Sequence, residues 1–159
     1  MKAASLKELK SELSHATQDE LLQICLHLAK FKKENKELLT YLLLEAENEE
    51  GYIETVQAEM DALFETINTS SYFYMKKTVR KILRMVKTNI RYSKKKPTEI
   101  ELLLYFCESL KNVKPSIRHS LVLKNLYNRE LLSLEKKIKV VHEDLQFEYN
   151  QQLKELYFN

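Results

Sequence analysis

SYFYMKKTVRKILRMVKTNIRYSKKKP, residues 71–97, decides the fold class. Met75, Val79, Ile82, Leu83, Val86 and Ile90 recur at three- and four-residue intervals, the signature of one apolar helical face. Lys76, Lys77, Arg80, Lys81, Arg84, Lys87 and Arg91 fill a separate arc of about 140° on the same wheel. Asn68-Thr69-Ser70-Ser71 makes a cap-rich turn before it, and Pro97 marks the far end. The stretch reads as an amphipathic helix over about 72–92.

Working outward, the charge is sorted along the chain. Glu37 to Glu65 holds nine acids and no Lys or Arg, whereas Lys76 to Lys96 holds ten bases and no acid. The acidic block is also helical, with Tyr52, Val56, Met60, Leu63, Phe64 and Ile67 as its apolar stripe and Glu50, Glu54, Asp61 and Glu65 beside it. An antiparallel pair would set Glu65 near Lys76 and Lys77, Asp61 near Arg80 and Glu54 near Lys87. Lys94, Lys95 and Lys96 would then remain uncompensated.

The rest of the chain reads the same way. One Gly and two Pro in 159 residues leave few tight turns and few helix breaks. Ser5-Leu6-Lys7-Glu8, Thr17-Gln18-Asp19-Glu20 and Thr98-Glu99-Ile100-Glu101 each have the form of a capping box. Asn35 is expected to cap a third helix after the polar run from Lys32, and Asn48–Gly51 to form a turn. Ser116 to Phe158 reads as two helices meeting near Asn128, with a single bent helix as the alternative. The expectation is an all-α fold of six to seven amphipathic helices, an irregular bundle or short helical-hairpin solenoid, in one domain over 1–159. An apolar fraction of 44% supplies its core. Cys25 and Cys107, each among apolar neighbours, are expected as a reduced buried pair.

Leu6-Lys7-Glu8-Leu9-Lys10, Asp19-Glu20-Leu21-Leu22, Asn35-Lys36-Glu37, the Lys/Arg-rich helix and Leu126-Tyr127-Asn128 with the helix after it appear in this order. In that order the chain resembles an uncharacterised family of bacterial helical proteins, a domain of unknown function. The resemblance covers most of 5–45 and 70–155. It implies an all-helical fold and carries no known active site, so no functional residue transfers.

Catalytic and metal chemistry find little support. His15, His27, His119 and His142 never fall three or four residues apart, and Cys25 and His27 point to opposite sides of a helix. A single Gly excludes phosphate-cradling loops and the nucleophile elbow. No cofactor is expected, and an enzyme remains only as a site gathered from scattered acids and histidines. The N-terminus lacks the apolar stretch of a signal peptide, and Leu38–Leu44 is too short to span a bilayer, so the protein is expected in the cytoplasm without an integral membrane segment.

The leading expectation is therefore a non-enzymatic helical module that binds a protein partner, its oligomeric state open. The alternative is nucleic-acid binding by the basic helix 72–96. Lys76, Lys77, Arg80, Arg84, Lys87, Arg91, Lys94, Lys95 and Lys96 are the candidate contacts for a polyanion or acidic partner. Phe73 lies within their arc, where its ring can stack on an exposed base. A solvated face paired to the acidic helix and an anionic membrane surface are the other uses of the same arc.

Overall fold

A computed structural model describes residues 1–159. The chain is helical throughout, without a strand. Eight α-helices replace the expected six to seven: α1 Leu6–His15, α2 Gln18–Phe31, α3 Lys33–Thr40, α4 Glu49–Glu65, α5 Tyr72–Ser93, α6 Lys96–Asn112, α7 Leu121–Ile138 and α8 Glu143–Leu156. A π-helical turn follows α3 over Tyr41–Glu45, and a 3-10 turn precedes α7 over Ile117–His119.

The residues divide into two compact units, Met1–Leu44 and Glu45–Asn159. In the first, two of the expected capping boxes form. Ser5 accepts from the Glu8 backbone and Thr17 from that of Glu20, while each Glu side chain returns to the cap N–H. The third helix is not capped by Asn35. It begins at Lys33 after Lys32 adopts extended backbone, and the Asn35 amide instead donates to the Leu28 carbonyl at 2.8 Å. That bond takes up a carbonyl left without an intrahelical donor near the end of α2. None of α1, α2 or α3 buries a residue.

The second unit is a bundle around α6, which packs against α4, α5, α7 and α8. Ile100, Leu102, Leu103, Leu104, Phe106, Cys107 and Leu110 are buried, so α6 presents apolar surface in nearly every direction. A helix apolar all round belongs in a core. Each such Leu contributes about 1.5–3 kcal/mol by burial. Cys107 is thus a core residue, but Cys25 is exposed, which corrects the expectation of a buried pair.

Helix α6 starts earlier than the motif Thr98-Glu99-Ile100-Glu101 suggests. Lys94 takes a left-handed conformation (φ 58°), its N–H bonding to Ile90, and closes α5. Lys96 then opens α6 with Pro97 in the first turn, where a missing N–H costs nothing. Thr98 is consequently inside the helix and 1% exposed, and its hydroxyl donates to Glu49 Oε1 at 2.6 Å. Gly51 also falls within a helix: Asn48 caps α4 by accepting from the Gly51 N–H at 3.1 Å.

The C-terminal segment forms two helices, but they do not meet near Asn128, which lies exposed on the outer side of α7. The break comes at 139–142. There the Gln146 amide donates to the Val141 carbonyl at 2.8 Å, and His142 caps α8 by accepting from Asp144 N–H. Asn128 weakens a helix only by propensity, which the buried Tyr127, Glu130 and Leu131 around it override.

Candidate functional site

Helices α4 and α5 pack together with the start of one near the end of the other, since the Tyr52 hydroxyl donates to Asn89 Oδ1 at 2.8 Å. Their charges do not meet as expected. Both helices give their apolar stripes to the shared core, and this turns the charged stripes away from each other. Asp61 accepts from the Tyr105 hydroxyl of α6, with both carboxylate oxygens at 2.8 Å. Lys87 bonds to Glu130 of α7 at 2.9 Å. No ion pair joins Glu54, Asp61 or Glu65 to Lys76, Lys77, Arg80 or Lys87.

The basic stripe instead borders α7. Arg80, Arg84, Lys87 and Arg91 form one wall of an open groove of about 690 Å³, and Arg129 of α7 stands on the other. Leu83, Val122 and Leu126 give the groove an apolar floor. The single carboxylate against these five cations is Glu130. Its side chain is 2% exposed, 2.9 Å from Lys87 Nζ and 3.5 Å from Arg129 Nε. A buried carboxylate is tolerable only with cations at this distance, so Glu130 holds Lys87 in place beside the groove. Arg84, Arg80 and Arg91 have no carboxylate partner and are exposed to solvent.

Lys76 and Lys77 lie at the other end of α5. Their ammonium groups stand 4.8 Å and 4.4 Å from the centroid of the Phe73 ring. Phe73 and Tyr74 make an edge-to-face pair at 5.4 Å, and both remain about half exposed.

The lysine run ends elsewhere. Lys95 Nζ pairs with Glu49 Oε2 at 2.8 Å and donates to the Ala46 carbonyl at 3.3 Å. Ser93 and Thr98 donate to Glu49 Oε1. Lys95 and Lys96 border a second groove that also holds Glu50, Glu54 and Glu101. The expectation of an uncompensated run at Lys94, Lys95 and Lys96 is therefore corrected at Lys95, while Lys94 and Lys96 form no ion pair. Lys95 serves as a tie between α4 and the α5–α6 corner, and Lys96 borders one groove with Glu50, Glu54 and Glu101 and another with Lys136 and Lys137.

No protein-family model, curated protein or solved structure matches this chain. Its surfaces must be read from their own chemistry. No group of three or more His, Cys, Asp or Glu side chains is arranged to hold a metal ion, and no helix is long and apolar enough to cross a membrane.

Arg129 and Glu130 are the site residues that sequence reasoning missed. One signal was available. Glu130 falls four residues from both Leu126 and Leu134, inside the apolar stripe of its own helix. A carboxylate at a core position demands a cation from another element.

Proposed function

We propose that the protein is a non-enzymatic helical interaction module whose docking element is the N-terminal unit, residues 1–44. The observation that carries this reading is that Tyr41 is the only buried residue in the unit, although apolar side chains recur along all three of its helices. On α2, Leu22, Leu26, Leu28 and Phe31 are 53%, 41%, 52% and 72% exposed. They occupy more than one face, so the hairpin that α2 makes with α3 leaves apolar surface open. Large apolar side chains left open in this way favour an interaction surface.

Covering the exposed parts of these four side chains contributes about 3–6 kcal/mol. Association costs about 4–15 kcal/mol in lost freedom. A stable partner must therefore also cover Leu6, Leu9 and Leu13, which line one side of α1 and are 85%, 45% and 40% exposed. An apolar groove or helix face on another protein has the required chemistry.

The test compares affinity purification of the full chain with that of a Leu22→Lys/Leu26→Lys variant, both after nuclease treatment. Both positions are exposed, so the variant keeps its helical circular dichroism. A protein retained by the wild type and lost with the variant supports the reading. Equal retention by both overturns it.

A further inference from the structure

The residues that line the basic groove all belong to the second unit. Phe73, Lys77, Arg80, Arg84, Lys87 and Arg91 follow one another at steps of four, three, four, three and four residues, which keeps them on one stripe of α5. At a rise of ~1.5 Å per residue the stripe runs ~27 Å from the Phe73 ring to the Arg91 guanidinium. Its upper half is the cationic wall of the groove, faced by Arg129 across Leu83 and Leu126. Its lower end is the exposed Phe73–Tyr74 pair.

We infer that this stripe and groove form a binding track for single-stranded nucleic acid, the phosphates lying along Arg80, Arg84, Arg91 and Arg129 and an unpaired base stacking at Phe73. A polyanion matches the charge because the one carboxylate at the groove is buried and already bonded to Lys87. Guanidinium groups suit phosphate oxygens, since each presents several donors in one plane. The aromatic end distinguishes the strand type. Bases in a duplex keep their faces stacked on each other, whereas a free strand can offer one to a ring. The Lys76 and Lys77 stems are flexible enough to swing from the Phe73 ring toward flanking phosphates.

The test uses fluorescence anisotropy of the full chain with a labelled 20-nucleotide oligothymidine strand across a salt series. The variants are Arg84→Gln/Arg129→Gln, Phe73→Ala, and Lys139→Gln/Lys154→Gln as a control of equal charge outside the groove. All these positions are exposed, and Lys87 still partners Glu130 in each. The groove variant is expected to bind about tenfold more weakly and to lower the slope of log affinity against log salt by about 1.4, at ~0.7 per phosphate contact. Phe73→Ala is expected to weaken binding by about 5- to 100-fold. The control should lie within about twofold of the wild type.

Four results overturn the inference. One is no binding at low salt. Another is equal loss in the groove and control variants. The third is a 20-base-pair duplex bound as tightly as the strand with no effect of Phe73→Ala, which would indicate a duplex surface. A polyglutamate of equal charge that competes as well as the oligonucleotide also overturns it, in favour of an acidic protein segment.

Discussion

Lys87 Nζ stands 2.9 Å from Oε1 of Glu130, across 43 positions of sequence and between two helices. The two partners are unequal, because the Lys side chain is 50% exposed and the Glu side chain 2%. Removing the lysine strands a buried carboxylate with only Arg129 nearby. Removing the carboxylate frees a lysine that water can reach. Lys87→Ala should therefore cost about 2–3 kcal/mol, and Glu130→Gln about 1 kcal/mol. Urea denaturation of the two variants checks the order, and the reverse order would refute this account of the pair.

Glu49 anchors the corner where α4, α5 and α6 meet, accepting from Ser93, Lys95 and Thr98. Its loss leaves the buried Thr98 hydroxyl without that carboxylate. Glu49→Ala is expected to destabilise by about 2–3 kcal/mol. Lys95→Ala should cost no more than ~1 kcal/mol, since that side chain is half exposed. Thermal or urea unfolding measures both.

Lys94 closes α5 with φ 58°, a conformation that disfavours every residue with a Cβ. Glycine takes it without that cost. Lys94→Gly should stabilise the fold by about 1 kcal/mol, visible as a higher urea midpoint at unchanged slope.

The two thiols should behave differently. Burial pushes the Cys107 thiol up to about 12, with the Glu130 carboxylate adding to the effect and Lys87 opposing it. Cys25 is exposed. A thiolate-specific reagent at about pH 8 should titrate one thiol per native chain and two in denaturant. Two fast-reacting thiols in the native protein would show that α6 is more open than described.

Alkaline pH should unfold the protein by a traceable route. The bond to Asp61, then burial, raises the Tyr105 phenol to about 12, and burial with Glu135 raises Tyr157 to about 12. Above pH ~10 the unfolded chain gives up these protons while the folded chain keeps them. The stabilisation is thus complete below pH ~10 and is lost as pH rises from there through about 12. Urea midpoints measured between pH 9 and 12 should fall, and the decline should be shallower in Tyr105→Phe.

Much of this fold is written in local pattern. The α5 stripe is legible residue by residue, and five of its six expected core positions are buried, with Ile90 partly so. The capping boxes at Ser5 and Thr17 are local chemistry between residues three apart, which any surroundings permit. Thr98-Glu99-Ile100-Glu101 has the same Ser/Thr-x-x-Glu pattern and a different outcome. Pro97 and the turn at Lys94 start the helix earlier, and Glu49 of a distant helix claims the Thr98 hydroxyl.

The amino-acid sequence by itself determined the helical class, the apolar face of α5 and its charged arc, because these depend only on spacing along one helix. Tertiary structure alone decided what each charged arc faces. Periodicity says which side of a helix is charged but not which neighbour lies beside it. Because α5 and α7 both pack against α6, Lys87 found Glu130 rather than Glu54, and Arg129 joined the four bases of the groove.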